Sequence, residues 1–202
     1  MHMPTFRDLH RTAVQASIDI VAAVRPEHLT LATPCAGWHL VDLLTHMTAQ
    51  HHGFAAAARG DGADLSAWRT EPFADAIAAD PVGTYTAAAR DVLDAFAADG
   101  VEEVLFALPE FGADVTVPGA TAMGFHFVDY VVHGWDVAAT LGLPFTLPAD
   151  VVAAALPVAK GVPDGEIRDA DNSPFARALG ASDTDDDFAS LLRYLGRNPE
   201  YC

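Results

Sequence analysis

Apolar residues recur at steps of three and four along most of the chain, and that spacing predicts helices rather than strands. A first helix is predicted over residues 5–24. Phe6, Leu9, Ala13, Ala16, Ile20 and Ala23 form its inner face, Pro4 lies in its first turn, and Arg25 and Pro26 stop it. A second is predicted over 38–58, with Leu40, Leu44, Met47, His51 and Phe54 inward and Gly60 and Gly62 behind it. A short helix over 73–79 and a third long one over 83–98 follow. The stretches 104–108 and 115–118 read as a small hairpin or an irregular crossover. A fourth long helix covers 120–141, closed by Gly142 and Pro144, with further helices over 149–160 and 185–195. The expectation is an all-α bundle over residues 1–145, with residues 146–202 as a C-terminal helical extension packed on it.

The fourth long helix departs from an ordinary amphipathic pattern. Phe125, Phe127, Val128, Val131, Val132, Trp135, Ala138 and Ala139 make it apolar almost all round, so it is expected to be buried, with Trp135 in the packed core. One stripe is polar. His126, Asp129, His133 and Asp136 are spaced by three, four and three residues, which keeps them on one face. Buried ionisable groups cost several kcal/mol unless they are paired or bound to a metal. Two imidazoles and two carboxylates are a metal-ligand inventory, and Asp129 and His133 at i, i+4 can grip one ion together. In helical bundles such sites are completed from a facing helix. His46 and His51 on the second helix both qualify, with Asp42, Gln50 and His52 nearby, and the spacing does not choose between them. The plainer alternative is a set of hydrogen-bonded core histidines, with Asp136 orienting an imidazole. Cys35, after Pro34 and ahead of a helix, reads either as an activated thiolate or as a small buried packing residue.

Bulk properties narrow the function further. Two hundred and two residues suffice for one domain, or one with an appendage, and 51% hydrophobic residues is a globular composition. Eleven Lys and Arg against 28 Asp and Glu give a net charge of −17, which repels phosphate backbones and anionic lipid. Neither nucleic acid nor a membrane surface is therefore expected as a partner. The acidic run over 183–187 reads as a solvated helix start. Cys35 and Cys202, the latter expected to be frayed, make no disulfide framework, and residues 1–5 lack a signal-peptide pattern. With no apolar run of the ~20 residues a membrane helix needs, the expected location is the cytoplasm.

Thr33-Pro34-Cys35 with Trp38, Asp42-Leu43-Leu44 with His46-Met47, the segment from His126 to Asp136, and Leu195-Gly196-Arg197-Asn198-Pro199 together resemble the actinobacterial branch of the DinB-like metal-dependent proteins. That branch is related to the N-terminal domain of mycothiol-dependent maleylpyruvate isomerase. The resemblance implies an up-and-down four-helix bundle of the DinB type. It further implies a divalent ion, zinc or nickel, held by His46, Asp129 and His133. Asp129 stands where the isomerase has Glu, so its reach is shorter and His126 is an alternative ligand. Asp136 and His126 are then the candidate catalytic groups.

Relatives of this kind use a low-molecular-weight thiol such as mycothiol with an electrophilic substrate, and many form homodimers. The stretch from Thr146 onward shows no full second domain like that of the isomerase, so maleylpyruvate isomerisation itself is not carried over. The leading expectation is a thiol-dependent transferase or isomerase. A metal-dependent hydrolase working without thiol, or a non-catalytic metal-binding and dimerising module, are the alternatives.

Overall fold

The computed structural model describes residues 5–35, 37–169, 175–182 and 184–201. Pro4, Asp183 and Cys202, each of which the sequence reading placed, lie outside the described residues. Four long helices form the bundle: α1 (Phe6–Val21), α2 (Leu40–Arg59), α4 (Pro81–Phe96) and α5 (Gly119–Leu141). The shorter α3 (Glu71–Ala79) lies between α2 and α4 in the chain and packs on both. Around the bundle the neighbours run α1, α4, α2, α5 and back to α1. The fold is an all-α bundle.

Local chemistry accounts for the helix ends. Thr5 and Asp8 form a reciprocal capping box at the start of α1, satisfying two backbone N–H groups that the helix leaves open. Asp42 accepts from His39 N–H at 2.9 Å at the start of α2, and Gly60 at φ +95° ends that helix in the left-handed region. The acidic run serves as an N-terminus: Asp186 accepts from Ala189 N–H at the start of α7 (Asp187–Tyr194).

A two-stranded antiparallel hairpin, β1 (Leu105–Ala107) and β2 (Thr116–Pro118), joins α4 to α5, with Phe106 opposite Val117. Phe106 and Val101 pack with Phe54, Phe96 and Met123 beneath it. α6 (Ala149–Gly161) and α7 cover the outer face of α5, burying Val128, Val131, Val132 and Trp135 against Val151, Ala155 and Leu191. Among the described residues no helix is long and apolar enough to cross a membrane.

The inner face of α1 differs from the sequence reading. Its buried stripe is His10, Ala13, Val14, Ser17, Ile18 and Val21, whereas Phe6, Leu9, Ala16 and Ile20 lie at its edges and Ala23 beyond its end. Two polar residues occupy the centre of the stripe because each finds a buried partner. Ser17 pairs with the Tyr85 hydroxyl at 2.7 Å, and His10 with His126. A purely apolar criterion therefore drew the face in the wrong place. The helix also ends at Val21, three residues before the predicted Val24.

Packing is close at Gly53 of α2, where an added Cβ would meet the Trp68 ring at 2.3 Å. Trp68 is buried and its indole N–H donates to Gly62 O, so the ring has no easy escape. Gly53→Ala is expected to cost roughly 1–3 kcal/mol, the usual range for overpacking a core. Thermal and urea unfolding would read it; an unchanged midpoint would show that the ring yields freely.

Candidate metal centre

Burial of α5 leaves its polar residues dependent on partners from other elements. His126, His133 and Asp136 are fully buried, and Asp129 keeps a side-chain exposure of 15%. The structure divides the predicted stripe into three environments.

The first environment joins Asp129 and His133 to His46 of α2. One donor atom from each of these residues lies within 4.8 Å of the other two. His133 Nε2 is 3.3 Å from Asp129 Oδ1, and the His46 and His133 rings meet edge to face with centroids 5.4 Å apart. His46 Nε2 is buried without a hydrogen-bond partner, and His133 Nε2 has only its contact with Asp129. An orphaned imidazole nitrogen beside a long histidine–carboxylate pair is costly unless something binds between them. The spacing suits an ion: bonds of about 2.0–2.1 Å at a tetrahedral angle separate donors by roughly 3.3 Å. These three side chains therefore fit a divalent metal.

Their electrostatics point the same way. Burial pushes the His46 imidazole down to about 4, with His133 and Arg197 adding to the effect and Asp129 opposing it, so His46 is a neutral donor. Burial disfavours ionised Asp129, yet His133 and His46 outweigh it and hold the carboxyl below its ordinary range. His133 is buried too, but Asp129 and Asp136 flank it and raise it well above an ordinary imidazole.

The second environment lies behind His133. His133 Nδ1 and Asp136 Oδ2 are 2.8 Å apart. Arg197 donates from Nε to Asp136 Oδ1 at 3.0 Å and from Nη2 to Asp136 Oδ2 at 3.1 Å. The same Nη2 reaches Cys35 Sγ at 3.1 Å, and Cys35 Sγ lies 3.2 Å from Asp136 Oδ2. Burial alone would raise the Asp136 carboxyl, but Arg197 and His133 bring it down to about 2. An ionised carboxylate only accepts hydrogen bonds, so His133 donates from Nδ1 and turns Nε2 toward Asp129 and His46. Asp136, predicted as a catalytic candidate, thus sits behind the imidazole at zero exposure.

His126 belongs to a third environment. Its Nδ1 is 2.9 Å from His10 Nε2 and its Nε2 is 3.1 Å from His51 Nδ1. Tyr130 stacks on both His51 and His126, at centroid distances of 4.0 and 4.2 Å. His51, the sequence's alternative to His46, is therefore joined to His126 rather than to Asp129 and His133. A shared helix face does not imply a shared site, because His126 and His133 are seven residues, or about 10 Å, apart along the axis. His52 lies flat on Phe73, and Gln50 donates to the Glu110 carboxylate at 2.9 Å.

A cleft of about 530 Å³ opens beside His46, lined by Trp38, Val41, Asp42, Thr45, His46 and Thr70 among others. Trp38 packs against the His46 ring at 5.1 Å, and Phe175 lies parallel to the His133 ring at 6.4 Å. The hydroxyl of Thr45 is buried beside the cleft without a partner. Sequence reasoning missed two residues here. Arg197 was quoted in a motif without a role, and His10 was passed over. The signal for Arg197 was available: an aspartate buried in an apolar helix requires a cation, and the chain has few.

This bundle, with its imidazoles and carboxylates turned inward, is of the DinB-like class. The chain belongs to the family described as the mycothiol maleylpyruvate isomerase N-terminal domain, whose model matches residues 10–138. It is 28% identical over 194 residues to the uncharacterized protein Rv0738 of Mycobacterium tuberculosis (strain ATCC 25618 / H37Rv), covering 93% of this chain and 95% of that one. The uncharacterized protein MT0763 of Mycobacterium tuberculosis (strain CDC 1551 / Oshkosh) matches with the same figures. The crystal structure of the mycothiol-dependent maleylpyruvate isomerase superposes with a TM-score of 0.63 at 14% identity, over 98% of this chain and 94% of that one. The likeness of fold thus runs past residue 138 and through the C-terminal segment.

Proposed function

We propose that this protein is a divalent-metal enzyme that uses a low-molecular-weight thiol of the mycothiol type to transfer to, or isomerise, an electrophilic substrate. The observation that carries the reading is the buried, unpartnered Nε2 of His46, at the edge of the cleft, beside the His133–Asp129 pair. Zinc or nickel suits two imidazoles and a carboxylate. Three protein donors leave a coordination position open, and an ion held there would lower the pKa of a thiol and present it as thiolate. His46 and Asp129 are the partly exposed members of the trio and face the thiol. His133 is held from behind by Asp136 and takes no direct part in the reaction. Trp38 supplies an apolar wall, and Thr45 a free hydroxyl, for the body of the thiol or its partner substrate. The thiol requirement suits a reducing cytoplasm.

The test is elemental analysis of protein purified without a histidine tag, followed by assays of the loaded protein with mycothiol and small electrophiles. One equivalent of zinc or nickel and strictly thiol-dependent turnover are expected. Turnover without thiol would replace this reading with hydrolysis. Folded protein that neither carries nor takes up metal would overturn it.

Ion uptake should also release a proton. Without metal, His133 holds a proton between Asp129 and Asp136 at neutral pH, because its folded pKa is raised. The ion must displace that proton, so affinity should rise about tenfold per pH unit up to the raised pKa. Calorimetric titration in buffers of different ionisation enthalpy would count the protons; release of none near pH 7 would contradict the assignment.

A further inference from the structure

His133 belongs to two donor sets at once. In front stand His46 and Asp129; behind stand Cys35 and Asp136, whose donor atoms also lie within 4.8 Å of each other and of His133. The rear set contains a thiol, the donor that zinc-like ions favour most strongly. On donor chemistry alone the rear set would compete for the ion. What separates the two sets is a residue more than sixty positions downstream of α5's His133.

We infer that Arg197 is a positioning residue for the candidate metal centre: its guanidinium fixes which ring nitrogen of His133 faces Asp129 and His46, and keeps the Cys35 sulfur out of the donor set. The inference rests on the metal reading above. Arg197 is 2% exposed and forms a fork on Asp136, with contacts of 3.0 and 3.1 Å to the two carboxylate oxygens. The same Nη2 lies 3.1 Å from Cys35 Sγ. A further N–H is spent on Leu195 O at 3.2 Å, and the guanidinium lies 5.8 Å from the centre of the Phe175 ring. A fixed positive charge thus touches both rear donors, and repels a second cation from them. The carboxylate saturated by that charge accepts from His133 Nδ1–H, which leaves Nε2 for the front. A planar fork held on two oxygens and a sulfur is a geometry arginine provides and lysine does not. Arg197 lies outside the stretch 10–138 that matches the family model.

The experiment is a cobalt(II) titration of the full chain, followed by visible and near-ultraviolet absorption. The wild type is compared with Arg197→Met, Arg197→Lys and the double variant Arg197→Met, Cys35→Ser. The wild type should bind one cobalt with no sulfur-to-cobalt charge-transfer band. Arg197→Met should bind roughly ten- to hundredfold more weakly, the usual effect of losing an outer-shell partner. It should also gain the sulfur band, and the double variant should lose it again. Arg197→Lys should restore part of the affinity without the band.

A sulfur band in the wild type would overturn the inference, as would wild-type affinity in Arg197→Met or a weakened Arg197→Met without the band. A lysine variant as weak as the methionine one would reduce Arg197 to packing and overturn it too. If Arg197→Met does not fold, nitrogen-15 spectra of the zinc-loaded wild type decide. His133 protonated at Nδ1 and metal-bound at Nε2 supports the inference, and the reverse overturns it. A wild type that takes up no cobalt would remove the metal reading itself, and this inference with it.

Discussion

His46→Ala should cut the affinity for zinc or nickel by roughly a hundredfold to a thousandfold while leaving the metal-free bundle as stable as before, or slightly more so. The first half follows from donor count. A zinc site worth on the order of 10–16 kcal/mol draws on about four ligands, so one ligand accounts for about 2.5–4 kcal/mol. The second half follows from the orphaned Nε2 of His46. Truncating a buried polar atom that has no hydrogen-bond partner removes a desolvation cost and leaves no other protein group unpaired. A core histidine that merely packs would behave in the opposite way, losing stability and changing no metal affinity. Metal titration and urea unfolding of the metal-free variant separate the two. Reduced stability with unaltered metal content would assign His46 to packing.

Acid should unfold the protein well before its carboxylates titrate, and the buried chain His10–His126–His51 is the reason. Burial pushes His10 down to about 3 and holds His51 and His126 well below an ordinary imidazole. In the unfolded chain all three titrate near 6.5. Below that value the unfolded state binds protons that the folded state refuses, so stability falls as pH falls. The slope is about 1.4 kcal/mol per pH unit for each histidine, or about 4 for the three together, and His46, held down to about 4, adds to it. Between pH 6.5 and 5 that removes about 6 kcal/mol, a large share of a total of roughly 5–15 kcal/mol. His133 does not soften this slope: its folded pKa is raised, so below 6.5 it is protonated in both states. Urea midpoints of the metal-free protein at pH 7.5, 6.5 and 5.5 should drop steeply. Equal midpoints at 7.5 and 5.5 would show that the chain accepts a proton without opening.

The sequence carried α5 almost to its termini, predicted over 120–141 and found at Gly119–Leu141, because Gly142 and the apolar run mark it from both sides. It carried the hairpin less firmly, since three-residue strands offer too few positions for alternation to show. Periodicity placed Asp129, His133 and Asp136 on one face, and the structure brings the first two to His46. Periodicity could not separate His126 from them. Helical angle repeats every few residues, whereas position along the axis does not, and only the neighbouring α1 with its His10 gives His126 another partner. The stripe of α1 was misdrawn for a related reason: its centre is polar, and polar residues enter a core when a distant residue satisfies them. Arg197 lies beyond the reach of local pattern altogether, since 61 positions separate it from Asp136 and 162 from Cys35.

Those separations bear on how the molecule is made. A chain emerging from the ribosome could close α1, α2, α4 and α5 into a bundle before residues 187–197 have left the exit tunnel. Asp136 would then be enclosed in a bundle lacking its countercharge, and Cys35 would have no guanidinium beside it. Between that moment and the docking of α7, His133 has both donor sets available and nothing to choose between them. On the proposed metal reading, the order of synthesis leaves an interval in which an early ion meets the thiol side unblocked, and the arrival of Arg197 closes it.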